Sequence, residues 1–467
     1  MDRYILGFSF RRDASSIFLP ENRWNNFLAA SAGWIISDES FMQNVTPVEF
    51  LKLRASFGQT GNSAINALAT ETGYTGWGRY GDVGAGDLLS RIGNPDLLWE
   101  TTNAYDVGLD FELYGSRISG SIGYYLQDAT DLLLSVQVPQ SSGIWSGNPT
   151  IVDNIGDLRN QGWEFTLNTI NIDRGGFQWS TNFNFTTNRN EVLKLTGGED
   201  EELYNVRTNG LVTTVGESLG YFRLAEYAGI DPVGGYELIY EMDLERFRET
   251  GERVRTGNVI PATRANLRDH LFDQRDKTGL PTFFGGLTNN FRYKGLELSA
   301  VLVFSGGNYI YDNAERQRSY IGNGNSILRQ SIVGNTWTEG NPNAEWPQLS
   351  WNHRYDVINE DGTISENQRF DNQRNGQVHD KFLKRGDFLR MRTLQLAYNL
   401  PSTLMERWNM SGIRVYVSAN NLFTITEFDG YDPEVVNLGN DRNLGQGWVG
   451  TTLPQVRSWN VGATFSF

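Results

Sequence analysis

Apolar and polar residues alternate along most of this chain. Between residues 177 and 188, Phe177, Trp179, Phe183 and Phe185 are separated by Gln, Ser and Asn. A period of two places successive side chains on opposite faces of an extended strand. Residues 104–114 and 118–126 repeat the pattern, and it is cleanest in the last strand, 455–467. The alternation predicts an all-β protein whose strands have one apolar and one polar face.

About twelve segments carry this pattern, an even number as in antiparallel membrane barrels. Many run for ten or more residues, with aromatic residues near their ends. Soluble sandwiches also alternate, but these long segments with terminal aromatics are typical of transmembrane β-barrels. The alternation is weaker in 296–310 and 387–399, which predicts a bulge or a partner contact there. The segments lie near 3–12, 24–37, 49–58, 99–114, 117–134, 160–172, 176–193, 282–293, 296–310, 387–399, 412–422 and 455–467.

Short and long connections alternate between these segments. This arrangement is expected of a barrel with short turns on the periplasmic rim and long loops on the outer rim. We assign 218–242, which also looks extended, to a large outer loop. One more crossing there would move every later short turn to the outer side of the membrane. The short links are 115–116, 173–176, 294–295, 401–412 and 37–47, and the long ones are 59–98, 138–159, 194–281, 311–386 and 423–454.

Composition narrows the class further. The 467 residues include 40 Lys and Arg against 55 Asp and Glu, a formal charge of −15, which argues against a nucleic-acid partner. There is no Cys, so thiol catalysis and Cys-ligated metal sites are excluded. No stretch approaches the roughly 18 apolar residues of a transmembrane helix. The 51 Gly and the 13 Trp, 20 Tyr and 26 Phe suit a glycine- and aromatic-rich β protein.

The sequence contains weak matches to known chemical motifs. Residues 76–81 fit G-x-G-x-x-G, but without the strand before and helix after that a nucleotide site needs. Residues 356–366 resemble a calcium loop, yet Gly362 at the sixth position would put Val357 and Gln368 at the main ligand positions. The three histidines fall in separate loops, and we interpret His379 with Asp380 as a solvated pair. We therefore expect no catalytic residue, metal ligand or cofactor.

Two groups of residues are better functional candidates. Asp106, Asp110 and Glu112 share the polar side of one segment, where paired carboxylates are expected on a hydrated lumen wall more readily than in a glycosidase-like site. Aromatic residues in the long loops could stack on sugar rings or peptide side chains, or simply pack loop against loop. The candidates for substrate contact are Trp77, Tyr80, Trp145, Trp337, Trp351, Tyr431 and Trp448.

Several blocks of sequence resemble the SusC/RagA family of TonB-linked outer-membrane transporters. They occur in order along nearly the whole chain, apart from the large loops. The blocks are DRYILGFSFRRDASS at 2–16, NRW at 22–24, GWIISDE at 33–39, LKLRASFGQTGN at 51–62, NPDLLWE at 94–100, NIGDLRNQGWE at 154–164, FLKRGDFLR at 382–390 and ANNLF at 419–423.

The resemblance implies a Gram-negative outer-membrane barrel of roughly 22 strands around a plug, gated by TonB. It also implies a SusD-like surface lipoprotein that helps capture oligosaccharides or peptides. Residues 1–467 resemble the C-terminal part of such a barrel as one structural unit. We expect the signal peptide, the plug and about ten strands to be absent, as in a truncated or split gene.

The final segment supports membrane assembly separately. Trp459, Phe465 and Phe467 lie at alternate positions, and a terminal Phe resembles the signal that the outer-membrane assembly machinery recognises. The leading hypothesis is thus the barrel part of an importer, without covalent chemistry. The alternatives are a plain pore, a glycan-binding β protein such as a soluble sandwich, and a non-functional remnant.

Overall fold

A computed structural model describes most of the chain. The described residues are 3–79, 85–144, 150–195, 202–204, 210–319, 328–350, 354–359, 361–370, 378–401, 410–434 and 445–466. Within them, no helix is long and apolar enough to cross a membrane.

One large antiparallel sheet dominates the structure, and its twelve strands follow chain order. All twelve predicted segments are confirmed as strands of this sheet. The strands are β1 (Tyr4–Ala14), β2 (Trp24–Ile35), β3 (Val48–Asn62), β4 (Glu100–Leu113), β5 (Ile118–Thr130), β6 (Gly156–Arg174), β7 (Phe177–Thr187), β8 (Phe283–Tyr293), β9 (Leu296–Gly306), β10 (Phe388–Asn399), β11 (Gly412–Asn420) and β12 (Ser458–Ser466).

Two short strands lengthen this sheet at its long-loop end. Arg189–Leu195 continues β7 along β6 after a break at Asn188. Thr424–Thr426 continues β11 along β10 in the same way. The predicted segment 176–193 already includes most of Arg189–Leu195, whereas Thr424–Thr426 lies beyond the predicted segment 412–422.

The two faces of the sheet differ in chemistry, as the alternation predicts. One register row carries Phe8, Ala30, Phe57, Tyr105 and Leu126 across β1 to β5. Phe8 is 77% exposed and Tyr105 47% exposed, so this apolar face is not covered by a second sheet. A soluble sandwich would bury it, whereas lipid would solvate it. The opposite, polar face carries Ser, Thr, Asn, Gly and charged residues.

The weak alternation in 387–399 coincides with a β-bulge, one of the two outcomes predicted for these segments. In 296–310 it comes from Val301 and Val303, which lie on the polar face. The register between β9 and β10 shifts between the pairs Val301–Thr393 and Leu302–Met391. Arg392 is the extra residue. A bulge re-aims side chains locally, and here both Arg390 and Arg392 contact residues of the 423–454 loop.

Tight turns join the strands at one end of the sheet. Gly115 follows β4 with φ +68°, and Gly175 and Gly176 follow β6 with φ +63° and +79°. Tight hairpin turns need residues with positive φ, and glycine adopts this conformation without steric cost. The 36–47 link contains the 3-10 turns Ile36–Asp38 and Ser40–Met42. Most of the predicted 401–412 link lies outside the described residues.

The long connections form a second layer with its own hydrophobic core. As predicted, 218–242 belongs to a loop and pairs with other loop strands. Buried Phe222, Tyr311 and Phe382 lie in this layer. Its strands are Gly73–Arg79, Ala85–Arg91, Leu133–Gln137, Thr150–Asn154, Glu202–Tyr204, Leu211–Thr214, Tyr221–Leu224, Tyr227–Ile230, Glu237–Met242, Arg255–Pro261, Phe272–Thr278, Tyr309–Asp312, Arg354–Ile358, Ile364–Arg369, Leu383–Arg385 and Trp448–Val449, and its helical segments are Gln140–Ser142, Leu244–Thr250, Arg264–Asp269, Asn313–Arg318 and Asp380–Phe382.

Candidate functional site

The polar face of the sheet holds an ion-pair cluster built on a glycine. Arg54 on β3 lies opposite Gly108 on β4, with Asp106 and Asp110 at the flanking positions of the same face. A Cβ on Gly108 would lie 2.7 Å from the Arg54 guanidinium carbon. The guanidinium therefore occupies the space above the glycine, where it pairs with Asp106 and with Asp110 (Nε to Oδ1 3.2 Å). Asp106 and Asp110, two of the carboxylates predicted on the lumen wall, therefore form ion pairs with Arg54.

A polar cavity of about 390 Å³ lies on the same face near the tight turns. We call it the turn-side cavity. Glu297 on β9 is held between Arg292 and Arg414, each with an N···O distance of 3.3 Å. The wall of the turn-side cavity also includes Ser299 and Gln395. The cavity is lined by hydrogen-bonding groups, which suits a hydrated surface.

A second cavity of about 410 Å³ lies at the long-loop end of β7 to β10. We call it the rim cavity. Its floor is one register row in which Phe284 and Phe388 flank Ser305. Val303 adds a further apolar side chain. The rim cavity is thus an apolar patch on a face that is otherwise polar.

Loop residues close the upper side of the rim cavity. Ile310 and Val449, both nearly fully buried, add aliphatic surface, and Gln446 adds an amide. Asn308 also lines the cavity and is 8% exposed. Its side-chain Oδ1 is buried without a hydrogen-bond partner. Buried acceptors are rarely left unpaired, so this oxygen marks a place where a donor is missing.

A buried charge cluster anchors the 423–454 loop beside this cavity. Arg390 on β10, only 2% exposed, donates to Asp432 Oδ1 at 2.5 Å, to Glu434 Oε2 at 2.7 Å and to Thr424 Oγ1 at 2.9 Å. Arg392, the bulge residue, pairs with the other oxygen of Glu434. Together the two arginines of β10 neutralise the two loop carboxylates.

The charge state of Asp432 depends on these partners. Burial alone would raise the pKa of Asp432, but hydrogen bonds from Arg390 and from the backbone N–H groups of Glu434 and Gln455 outweigh it and hold the pKa below its usual value. Asp432 therefore stays ionised and binds three separate donors at neutral pH.

The predicted loop aromatics occupy different environments. Trp448 is 7% exposed and stacks on Tyr311 with ring centroids 4.1 Å apart, so it belongs to the loop core. Trp337 is partly exposed and donates Nε1–H to the carbonyl of Pro232 at 3.1 Å. Tyr431 is 43% exposed beneath the guanidinium of Arg318, 4.4 Å from the ring centre. The structure does not bring these three rings together into one platform.

The remaining predicted residues are only partly covered by the structure. Trp77 lies on the strand Gly73–Arg79 of a hairpin, and its side chain is outside the described part. Tyr80, Trp145, Trp351 and Phe467 are also outside it. Trp459 and Phe465 on β12 are 67% and 54% exposed on the apolar face.

The interpretation of His379 as a solvated residue is wrong. His379 is 1% exposed, and its Nε2 lies 3.2 Å from Oε2 of Glu237, which is 142 positions away in the chain. Lys381 lies over the rings of Tyr227 and Trp346 in the same region. Burial lowers the pKa of Lys381, opposed by Glu237 and Glu345. A contact across such a separation leaves no signal in the local pattern.

A second histidine in the loop layer gives a pH prediction. His270 is 6% exposed, and its Nδ1 accepts a hydrogen bond from the backbone N–H of Met242 at 3.0 Å. Burial lowers the pKa of His270, although Glu241 and Asp269 oppose this. The unfolded chain then binds the proton more readily, so this stabilisation is present above about pH 6.5 and declines as the pH falls below it.

We expect the Met242 amide to exchange faster at pH 5.5 than at pH 7.5, after correction for intrinsic exchange. The His270→Leu variant should lose this difference. Hydrogen exchange read by mass spectrometry measures both. An unchanged pH dependence in the variant would show that another group controls the opening.

The comparisons with known proteins agree with this architecture. Residues 1–269 match the family described as TonB dependent receptor-like, beta-barrel. The chain belongs to this family.

Within the described residues, no group of three or more His, Asp or Glu side chains is placed to hold a metal ion.

This TonB-dependent receptor-like barrel also has similar curated relatives. TonB-dependent receptor P26 of Formosa agariphila is 29% identical over 100% of this chain and 45% of its own length. TonB-dependent receptor SusC of Bacteroides thetaiotaomicron is 28% identical over 93% of this chain and 40% of its own length. The chain thus spans about half the length of the curated relatives it matches.

A solved structure of the RagAB peptide transporter matches the whole chain. The TM-score is 0.78 with 27% sequence identity, and the match covers 46% of the RagAB chain. The RagAB peptide importer in the open-open state matches with a TM-score of 0.75. The twelve-strand sheet of this TonB-dependent receptor-like barrel therefore has the fold of the corresponding part of RagAB.

Proposed function

We propose that this chain forms the wall and outer-loop part of an energy-coupled outer-membrane importer of nutrient oligomers. The substrates are oligosaccharides or peptides, captured together with a SusD-like surface lipoprotein. TonB supplies the energy for transport, which the similarity to TonB-dependent receptors supports. The observation that carries the proposal is the twelve-strand sheet with an exposed apolar face and a polar face bearing two cavities.

Transport in the native bacterium tests this proposal. Deletion of the gene should reduce uptake of a labelled oligopeptide mixture or a labelled oligosaccharide mixture. Loss of TonB should reduce the same uptake to the same extent. Uptake that needs the gene but persists without TonB would instead identify a plain pore. Unchanged uptake of both mixtures in the deletion strain would contradict an importer.

The orientation of the sheet in lipid gives a second prediction. Leu396 on β10 is 43% exposed on the apolar face, opposite Leu298 and Val417. Arginine facing lipid destabilises a barrel by about 2–4 kcal/mol at mid-membrane and by less toward the interfaces, and Leu396 lies three residues from the end of β10. We expect Leu396→Arg to reduce the heat-modifiable folded form in outer membranes.

The neighbouring residue provides the matched control. Gln395 lies on the polar face and lines the turn-side cavity. Gln395→Arg introduces the same side chain one position away and should assemble normally. Equal loss of folded protein in the two variants would contradict the assignment of the apolar face to lipid.

A further inference from the structure

We propose that the rim cavity binds one apolar side chain of a peptide substrate together with its backbone N–H. This inference rests on the proposed importer function and assigns a substrate class to one site within it. The rim cavity has about 410 Å³ of space, within the usual range for small-ligand pockets and enough for one large side chain and its flanking peptide groups.

The floor of the cavity selects apolar groups. Phe284 is 45% exposed on the polar face of the sheet, where a hydrated wall would have a polar residue. It faces Phe388 across Ser305, and Val303 lies one row below. Apolar side chains that remain exposed beside a cavity gain free energy when an apolar ligand group covers them.

The upper walls do not suit a sugar. Ile310, Val449 and Pro281 present aliphatic surface, which offers no flat aromatic face for a pyranose ring to stack on. Sugar hydroxyl groups placed against these three side chains would be buried there without partners, which is costly. A Leu, Ile, Val or Met side chain has no such groups to satisfy.

Asn308 provides the polar contact that orients a peptide. Its backbone carbonyl accepts from Gly386 N–H at 2.8 Å, and the preceding Gly307 N–H donates to Asp387 Oδ1 at 2.6 Å. A Cβ on Gly386 would lie 2.5 Å from the Asn308 amide, so the side chain is seated in the space left by this glycine. Its Oδ1 has no partner and is covered by protein. Binding a peptide N–H therefore requires the Asn308 side chain to turn this oxygen toward the cavity that the residue lines.

The charges at the cavity favour neutral residues. Arg392 and Glu434 both line it, but they pair with each other. Neither ion is left to attract an opposite charge on the ligand. A charged side chain would lose hydration in the cavity without gaining a partner.

Binding to the purified full chain in detergent tests the proposal. The probes are the tetrapeptide Ala-Leu-Leu-Ala, its analogue with both leucine N–H groups methylated, the tetrapeptide Ala-Ser-Ser-Ala and maltohexaose, each measured by isothermal titration calorimetry. We expect the leucine peptide to bind best. Methylation should weaken binding of the leucine peptide by about tenfold, because it removes one hydrogen bond to a buried acceptor.

Two variants address the site directly. Ser305→Phe fills the space between Phe284 and Phe388 and should weaken the leucine peptide by at least about tenfold. Asn308→Leu keeps the volume but removes the acceptor, and it should abolish the difference between the leucine peptide and its methylated analogue. Ser299→Phe, on the same strand and face but in the turn-side cavity, is the matched control and should leave leucine-peptide binding unchanged.

The outcomes separate this site from the importer function. The peptide site is overturned if the leucine peptide binds Ser305→Phe and Asn308→Leu as tightly as it binds the wild type. It is also overturned if Ser305→Phe abolishes maltohexaose binding and leaves leucine-peptide binding unchanged. Absence of binding by all four probes to the heat-modifiable wild-type barrel also overturns it. Gene-dependent, TonB-dependent uptake would still support the importer in each case, whereas its loss would refute the importer even if the cavity bound peptide.

Discussion

Arg390→Ala should release Asp432 and Glu434 from the sheet and destabilise the protein by about 3–5 kcal/mol, the usual cost of removing one partner from a buried ion pair. Arg390 and Asp432 are 2% and 4% exposed, so water cannot replace the lost guanidinium without opening the loop. Asp432 would also keep its two backbone donors while losing its counter-charge. Limited proteolysis of the loop and the thermal midpoint in detergent measure the effect.

Two further variants test whether the buried, unpaired charge causes the loss of stability in Arg390→Ala. Arg246→Ala removes an exposed partner of Glu252, with both side chains more than half exposed, and should change stability by less than about 1 kcal/mol. The double variant Arg390→Leu, Asp432→Leu removes both buried charges and should recover much of the loss, because no uncompensated ion remains. A double variant as unstable as Arg390→Ala would mean that packing or hydrogen bonds dominate, either the bond to Thr424 or the two from backbone N–H groups to Asp432.

Phe467→Asp should abolish outer-membrane insertion while leaving synthesis intact. The apolar positions of β12 include Trp459, Val461 and Phe465, and Phe467 continues their alternation. The sequence predicts that this series is an insertion signal, and a carboxylate in it would place a charge among apolar side chains that face lipid. Phe465→Asp, inside the described strand, should have the same effect.

Ser466→Asp is the control for this assembly prediction. Ser466 pairs with Gly412 on β11 and belongs to the polar series of β12. The same carboxylate there should permit insertion. Cell fractionation, heat-dependent gel mobility and total protein amount distinguish failed insertion from failed synthesis. Normal surface assembly of Phe467→Asp would contradict a role for this residue as an insertion signal.

The rim cavity could not be predicted from the pattern that predicted its walls. Phe284 and Phe388 are 104 positions apart, and each looks like an ordinary aromatic at the end of a strand. They face the same cavity only because β8, β9 and β10 are neighbours in register. Asn308 comes from the turn after β9, and its lack of a partner is visible only once the neighbouring loops are placed.

The loop aromatics illustrate the same limit. Trp448 and Tyr431 carry the same signal in the sequence, an aromatic residue in a long polar loop. The structure stacks Trp448 on Tyr311 inside the loop core and leaves Tyr431 exposed beneath Arg318. Which aromatic residue is buried depends on contacts between loops more than a hundred residues apart.

The sequence by itself determined the twelve strands, their two faces and the alternation of short turns with long loops. For the bulge it indicated two segments and left a partner contact as the alternative. These features follow from a local period of two, which each strand carries without reference to its neighbours. Tertiary structure alone decided the Arg390 cluster, the buried His379–Glu237 pair and the rim cavity. Each of these joins side chains that are far apart in the sequence, and the burial that gives them their chemistry arises only when the loops pack on the sheet or on one another.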